Sequence, residues 1–278
     1  MYSRIELVNK ILVIVHPSVR AVISEMGIER GLEIHHDGDL PARSGLGSSS
    51  SFTVGLLNAL YALRGEMVSA KMLAKEAIRI EQDVIEEAVG SQDQIWAAYG
   101  GINRINFSQD GSFDVQPVVI DAERRATLND HMMLFFTGFS RTAAVVEAEK
   151  IANCQQHKTQ LRALGAMVDK GMQILQNRNG DVREIGELLN EAWRLKKEMS
   201  DKVMTSAIDE IYDAAMDAGA LGGKLLDAGG GGFLLLFVAP EKQAQVRERL
   251  SDLTHVSIRI GSPGSRIVVC EPDGLEAD

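Results

Sequence analysis

A glycine- and serine-rich stretch, DLPARSGLGSSSS at residues 39–51, is the feature that most constrains this sequence. It opens onto FTVGLLNALYAL, in which apolar residues recur at helical spacing: Phe52, Leu56, Leu60 and Leu63. The first backbone N–H groups of a helix have no intrahelical partner, and the helix dipole is positive at that end. A glycine loop that leads into such a helix is therefore typical of an anion site, usually for phosphate. The alternative is a serine-capped helix after an ordinary turn.

The composition narrows the class of protein. At 278 residues, 45% of them hydrophobic, the chain is long enough for one large domain or two ordinary ones. The net charge of −10 disfavours nucleic acid and anionic membranes as partners, and 5% aromatic residues argue against a surface that stacks bases. No apolar run approaches the roughly 18 residues of a membrane helix, and the N-terminus is unlike a signal peptide. We therefore expect a cytoplasmic protein.

The first half of the chain mixes helical and strand patterns. Apolar spacing predicts a helix at 17–26, and alternation predicts a half-buried strand at 31–40 that leads into the glycine loop. Two further strands, 102–107 and 113–120, flank the turn SQDG and predict a hairpin. The polar residues 121–131 are expected to form a connector between domains.

The second half alternates buried strands with amphipathic helices. Its strand patterns are MMLFFTG, FLLLFV, HVSIRI and RIVVC, and helices are expected at 142–177, 182–199 and 206–218 and over EKQAQVRERLSDL. This order of elements predicts an α+β fold in which helices cover an antiparallel sheet.

Two acidic residues are candidates for chemistry. Glu81 lies within or beside the apolar stripe of a helix that begins after Ser69 and runs to about residue 88. Its carboxylate either reaches solvent or is aimed as a ligand for a cation such as Mg²⁺. Asp93 stands between Gln92 and Gln94 at the start of a short apolar helix. It could accept a proton from a substrate, or it could simply cap the helix.

Two further stretches are candidates for ligand contacts. Ser140, Arg141 and Thr142 stand at a strand-to-helix junction, where they either cap the helix or meet a ligand. Arg141 is the candidate for a substrate phosphate, because a guanidinium can hold phosphate through two hydrogen bonds. The four glycines at 229–232 are too many for a strand interior. They form either a flexible hairpin loop or a backbone that must approach a ligand closely.

Three of these motifs, taken in order, resemble the GHMP kinase superfamily. Its phosphate loop has the pattern P-x-x-x-G-L-G-S-S-A, which residues 41–50 match except that Ser50 replaces alanine. Asp93, with Glu81 twelve residues earlier, holds the spacing of the superfamily's catalytic aspartate and the glutamate of related sugar kinases. Its C-terminal glycine motif resembles residues 227–232, with Asp227 where the superfamily usually has glycine.

Within the superfamily, the sequence looks most like the D-glycero-D-manno-heptose 7-phosphate kinases. The stretches that carry this likeness include GSQDQIWAAYGGINRINF and FFTGFSRTA. The resemblance implies an N-terminal α/β domain at 1–125 with a left-handed β-α-β crossover, and a ferredoxin-like C-terminal domain at 126–278. It also implies that the chain, which starts at MYSRIEL, lacks the first strands and the first glycine-rich motif of the N-terminal domain.

The resemblance further implies an ATP-dependent kinase, with Mg²⁺, that phosphorylates the anomeric hydroxyl of a heptose 7-phosphate on the route to nucleotide-activated heptose for surface polysaccharide. Asp93 would be catalytic, Ser49 and Glu81 would hold the metal, and Gly229, Gly230, Gly231 and Gly232 would join Arg141 at the substrate. The expected ATP contacts are Pro41, Arg43, Ser44, Gly45, Leu46, Gly47, Ser48, Ser49 and Ser50. Two alternatives stay open: a fucose- or galactose-type kinase of the same superfamily, or a truncated remnant that only binds nucleotide.

Overall fold

The computed structural model describes residues 5–29, 31–39, 45–138, 157–199, 206–226 and 232–271. In chain order these residues form α1 (Pro17–Glu25), α2 (Ser48–Leu63), α3 (Ala70–Arg79), a π-helical turn (Ile80–Val84), α4 (Gln92–Tyr99), β1 (Asn103–Phe107), β2 (Phe113–Pro117), α5 (Ala122–Asp130), β3 (Met132–Phe136), α6 (Lys158–Gln176), α7 (Arg183–Glu198), α8 (Ser206–Asp217), β4 (Ala220–Leu225), β5 (Phe233–Val238), α9 (Gln243–Arg249) and β6 (Thr254–Val256). Single 3₁₀ turns lie at Ile11–Val13 and Pro240–Lys242.

The chain divides into two compact units. The first contains the described residues up to 39, then 47–100, and returns with the described residues from 263 onward. Helix α2 lies at its centre, in contact with α1, α3 and α4. Each of the four helices buries an apolar residue completely: Val22, Leu57, Ala77 and Ile95. The four helices therefore share one apolar core.

The returning segment of the first unit binds both α2 and α4. The Ser265 N–H donates to the Ala97 carbonyl at 2.8 Å, and the Asn58 amide donates to the Ser265 hydroxyl at 3.0 Å. Gly264 packs so closely on α4 that a Cβ there would lie 2.4 Å from the Ala98 carbonyl oxygen. This segment therefore fixes the position of α4 against α2.

The second unit holds two antiparallel sheets. Strands β1 and β2 pair as a hairpin, with Phe107 opposite Phe113 beside the turn. The other four strands pair in the order β4-β5-β3-β6, and every neighbouring pair is antiparallel. Along the chain, strands and helices of this sheet follow the order β-α-β-β-α-β, which is the ferredoxin-like arrangement.

Both faces of the four-stranded sheet are buried. Met133 and Phe135 of β3 and Leu234 and Leu236 of β5 point into the larger core, which Ile208 and other residues of α8 also line. Phe237 points to the opposite face, where it packs with Leu128 of α5. Because the central strands are covered on both sides, they read in the sequence as continuous apolar runs rather than as alternating ones.

Two glycines of β4 serve the packing of this sheet. A Cβ on Gly222 would lie 1.9 Å from the carbonyl oxygen of Gly186 in α7, and one on Gly223 would lie 2.3 Å from the Leu235 carbonyl oxygen. Real Cβ atoms do not approach other atoms so closely. Helix α7 can therefore lie this close to β4 only because residue 222 has no side chain.

Several expectations about secondary structure need correction. Residues 31–39 and 266–270 form no strand, since no described segment hydrogen-bonds alongside them. Of HVSIRI, only His255 and Val256 pair in the sheet, as part of β6 (Thr254–Val256). Residues 121–131 are not a connector: Asp121 caps α5 by accepting from the Arg124 N–H. The helix after Ser69 ends in the π-helical turn rather than at residue 88. The expected helix over 142–156 lies outside the described residues.

None of the helices that the structure describes combines the length and the apolar character needed to cross a membrane.

Candidate active site

The N-terminus of α2 has the geometry of an anion cradle. Gly47 caps this helix in the left-handed conformation, with φ 66°, and its carbonyl accepts from the Ser51 N–H at 2.9 Å. Because glycine has no side chain, the residue at the N-cap makes no side-chain cap. The first N–H groups of a helix have no intrahelical partner, so this turn can bind an acceptor from outside the helix.

Asp93 lies directly beside this cradle. It occupies the first turn of α4, its side chain is exposed, and a Cβ built on Gly47 would lie 3.0 Å from its Oδ2 atom. The same Cβ would lie 3.1 Å from the Asp93 Cγ atom, so the Asp93 side chain lies close to the backbone of Gly47. Glycine at position 47 therefore allows both the positive φ and the close approach of the Asp93 side chain.

Glu81 is buried behind the cradle. It lies in the π-helical turn, and its side chain is 1% exposed. Its Oε2 atom accepts two hydrogen bonds, from the Ser50 hydroxyl at 2.8 Å and from the Gln94 amide at 2.5 Å. These contacts join the first turn of α2, the π-helical turn and the first turn of α4 around one carboxylate.

The segment between the π-helical turn and α4 is tied back to the same turn. The Gln82 amide donates to the Val89 carbonyl at 2.9 Å and to the hydroxyl of Ser91, the residue that precedes α4, at 3.1 Å. Glu86 adopts a positive φ of 61°, which is uncommon for a residue with a side chain. A π turn and a strained residue together, so close to a buried acid, are typical of functional sites.

The second oxygen of Glu81 provides a test of whether a divalent cation fits here. Oε1 is buried, and no donor among the described residues meets it. An unpaired carboxylate oxygen in such a place is costly, and a cation would satisfy it. The part of the chain that the structure describes contains no cluster of three or more His, Cys, Asp or Glu side chains able to hold a metal alone. A single carboxylate suits Mg²⁺, which usually takes one or two protein ligands together with substrate phosphates.

Of the other predicted site residues, Ser48 and Ser49 belong to the first turn of α2. Gly45 has φ 83°, Ser48 is half-buried, and Ser49 is exposed in the first turn of α2. Gly232 belongs to the second unit, where its carbonyl accepts from both the N–H and the hydroxyl of Thr137 at 2.9 Å. The remaining predicted site residues lie outside the described residues: Pro41, Arg43, Ser44, Arg141, Gly229, Gly230 and Gly231.

Sequence reasoning did not assign the contacts that Ser50 and Gln94 make. Both side chains are buried, and Ser50 is also the position at which the phosphate loop departs from the superfamily pattern. Helical spacing could have indicated that Ser50 is buried, because it lies on the same face of α2 as the buried residues Val54 and Leu57. A polar residue on a buried face needs a partner, and that partner is Glu81.

Family models match both halves of the chain. The model described as "GHMP kinases N terminal domain" matches residues 11–101, and the one described as "GHMP kinases C terminal" matches residues 173–254. The first match contains the cradle, Glu81 and Asp93, and the second contains most of the ferredoxin-like part of the second unit.

Two curated relatives share these regions. A D-glycero-alpha-D-manno-heptose 7-phosphate kinase from Campylobacter jejuni is 31% identical over 211 residues, which are 76% of this chain and 62% of the relative. A bifunctional fucokinase/GDP-fucose pyrophosphorylase from Arabidopsis thaliana is 27% identical over 251 residues, 87% of this chain and 23% of the relative. The chain therefore spans less than two thirds of the length of either protein.

Solved structures share the fold. A crystal structure of a D-glycero-D-manno-heptose 1-phosphate kinase from Bacteroides thetaiotaomicron superposes with a TM-score of 0.68 at 24% identity, covering 89% of this chain and 71% of that one. A mevalonate kinase from Methanococcus jannaschii gives a TM-score of 0.69 at 22% identity, covering 88% and 74%. Together with the two family models, these structures confirm the two-domain α+β fold, and the chain belongs to the GHMP kinases.

Proposed function

We propose that this chain transfers the γ-phosphoryl group of ATP to a hydroxyl group of a sugar phosphate. The observation that carries the proposal is the contact between Asp93 and Gly47. A carboxylate lies against the residue that opens an anion cradle, so an acceptor hydroxyl and a phosphate bound there would be neighbours. A phosphate-binding loop and a residue that accepts or orients the proton of the attacking hydroxyl are two recurring parts of enzymes that transfer phosphoryl groups.

Each residue then has a defined task. Backbone N–H groups from Gly45 to Ser50 bind the β- and γ-phosphates at the positive end of α2. The Asp93 carboxylate accepts the proton of the acceptor hydroxyl. As that oxygen forms its bond to the γ-phosphorus, the bond from phosphorus to the bridging oxygen breaks and ADP leaves.

Glu81 is the proposed protein ligand of Mg²⁺ through its unpaired Oε1 atom. Bound Mg²⁺ would neutralise charge on the phosphates. Ser49 stays a predicted second ligand, and its exposed place in the first turn of α2 leaves it accessible. Arg141 and Gly229–Gly232 stay the predicted contacts of the substrate phosphate.

The proposed acceptor is D-glycero-D-manno-heptose 7-phosphate, phosphorylated at its anomeric hydroxyl. The Campylobacter jejuni relative named for this substrate supports the choice, at 31% identity. Fucokinase and galactokinase relatives, both 27% identical, favour a second candidate, a kinase for another sugar.

An acceptor panel separates these possibilities. ADP release is measured with ATP, Mg²⁺ and, in turn, heptose 7-phosphate, mannose, fucose, galactose and mevalonate, while ATP binding is measured separately. We expect turnover with heptose 7-phosphate and a product whose new phosphate is on the anomeric carbon. Turnover of fucose or galactose instead would support the second candidate. ATP binding without turnover of any acceptor would contradict the kinase proposal and favour a protein that only binds nucleotide.

The role of Asp93 is tested by Asp93→Asn. Removing a general base typically costs about 10²–10⁴-fold in kcat, and affinity for ATP should change little. Gln92→Asn is the matched control, because Gln92 is exposed next to Asp93 in the first turn of the same helix. If kcat of Asp93→Asn and kcat of Gln92→Asn both stay within a few-fold of the wild type, Asp93 has only a structural role in the first turn of α4.

A further inference from the structure

The two oxygens of the Glu81 carboxylate lie in opposite surroundings. Oε2 accepts from the Ser50 hydroxyl at 2.8 Å and from the Gln94 amide at 2.5 Å. Oε1 is equally buried but meets no donor among the described residues. The hydrogen-bonding capacity of the carboxylate is thus used on one side and left open on the other.

We propose that Ser50 and Gln94 are positioning residues that hold Oε2 and leave Oε1 as the one oxygen of Glu81 available to a divalent cation. We infer that this arrangement gives the site its preference for Mg²⁺ over Ca²⁺. The inference rests on the proposed function in one respect, namely that Glu81 binds the cation that accompanies ATP.

The surroundings of Glu81 are rigid enough for this role. Gln94 is 0% exposed and Ser50 is 6% exposed, so neither side chain can turn freely to another partner. The backbone carbonyl of Glu81 also accepts from the Glu87 N–H at 2.9 Å. For the carboxylate to present both oxygens to a cation, it would have to give up both hydrogen bonds on Oε2.

Ca²⁺ and Mg²⁺ differ in how they bind a carboxylate, so a carboxylate with only one free oxygen favours Mg²⁺. Ca²⁺ takes six to eight oxygen ligands in flexible geometry and readily binds both oxygens of a carboxylate. Mg²⁺ requires near-ideal octahedral geometry and is commonly held by one carboxylate oxygen with phosphates and waters. A carboxylate that offers only Oε1 therefore cannot bind Ca²⁺ through both oxygens, but it supplies the single oxygen ligand that Mg²⁺ commonly uses.

The experiment measures cation binding directly, without an acceptor sugar. Mn²⁺ is titrated into the full chain with a non-hydrolysable ATP analogue and followed by electron paramagnetic resonance, and Mg²⁺ and Ca²⁺ then compete with it. In the wild type we expect Mg²⁺ to displace Mn²⁺ well and Ca²⁺ to displace it poorly. In Ser50→Ala and Gln94→Leu, Mn²⁺ affinity should fall by about 10–100-fold, the usual cost of losing a residue that orients a metal ligand.

The ratio of Ca²⁺ to Mg²⁺ affinity separates positioning from mere stability. Freeing Oε2 should raise this ratio in both variants, whereas a generally loosened structure weakens all three cations together. Ser50→Thr keeps the hydroxyl and should restore the wild-type ratio. Gln92→Leu is the control for Gln94→Leu, because Gln92 lies on the other side of Asp93 in the same turn and is exposed.

The remaining outcomes each contradict one part of the proposal. Unchanged Mn²⁺ affinity in Ser50→Ala and Gln94→Leu, or reduced affinity with an unchanged ratio, overturns this inference and leaves the proposed function intact. A wild-type chain that binds the ATP analogue but no Mn²⁺ overturns the metal role of Glu81 itself. If Gln94→Leu does not fold, Ser50→Ala decides alone, since it removes a single oxygen atom.

Discussion

Replacing Gly47 by alanine is a direct test of the site geometry. The new Cβ atom would lie 3.0, 3.1 and 3.2 Å from the Oδ2, Cγ and Cβ atoms of Asp93, closer than ordinary van der Waals contact. Asp93 must therefore move by a few tenths of an ångström. Alanine would also be forced to keep φ near 66°, which costs roughly 1–2 kcal/mol of stability.

The expected loss of activity follows from the size of this displacement. A misplacement of 1 Å can cost about 100-fold in rate, so a few tenths of an ångström should lower kcat by about three- to sixfold. Measurement of kcat by ADP release, beside thermal unfolding of the same sample, separates the effect on rate from the effect on stability.

Gly27→Ala is the matched control for this variant. Gly27 has a similar φ of 59°, and a Cβ there would meet nothing within 4 Å. Both variants should lose a similar amount of stability, but only Gly47→Ala should lose rate. Equal values of kcat in the two variants would refute the claim that Asp93 is held by its contact with Gly47.

Three further predictions concern stability. Gly222→Ala should destabilise the second unit by at least about 3 kcal/mol in urea unfolding, because its Cβ would lie 1.9 Å from the Gly186 carbonyl oxygen. Gly165→Ala, inside α6 with open space around it, should instead stabilise by about 0.5–1 kcal/mol; a loss would contradict the packing described here. Burial raises the pKa of Tyr212 to about 12, so the wild type should lose about 2–3 kcal/mol of unfolding free energy as pH rises from 10 past 12. Tyr212→Phe should remove this dependence, although losing the hydrogen bond to Asn190 lowers stability below pH 10; an identical alkaline profile in both proteins would show that the phenol does not cause it.

Local sequence patterns were sufficient to predict several of the helices and strands. The apolar spacing after Ser48 predicted α2, and the spacing before Met26 predicted α1; both are confirmed. The continuous apolar runs predicted β3 and β5, also confirmed, because strands covered on both faces need apolar residues at every position. In each case the signal lies within the element itself.

Where structure depends on a distant partner, the sequence was a poor guide. Residues 31–39 alternate as a strand should, yet no described segment pairs with them. Helix α5 was missed because it buries only Arg124 and Leu128, so its apolar stripe is almost absent. No local pattern singles out Gly222, and only its distance to Gly186 shows that it serves helix packing.

The site itself was predicted in part. The spacing of Glu81 and Asp93 drew attention to both acids, but nothing local indicates a π-helical turn or the hydrogen bonds on Oε2. Those features arise where three helical turns meet, and the residues that meet are 31 and 13 positions apart along the chain. Long-range side-chain contacts of this kind leave only a faint trace in sequence patterns, namely a polar residue on a buried face.

The π-helical turn has an evolutionary consequence. It holds one residue more than a regular helix would, so a single deletion within Ile80–Val84 would let α3 continue as an ordinary α-helix. Each residue of an α-helix turns the chain by about 100°, so everything after the deletion would swing away and the approach of Gln94 to Glu81 would be lost. The helix itself would gain regularity. The length of this turn therefore sets the position of α4, and a relative with a shorter turn is expected to lack the contact between Gln94 and Glu81.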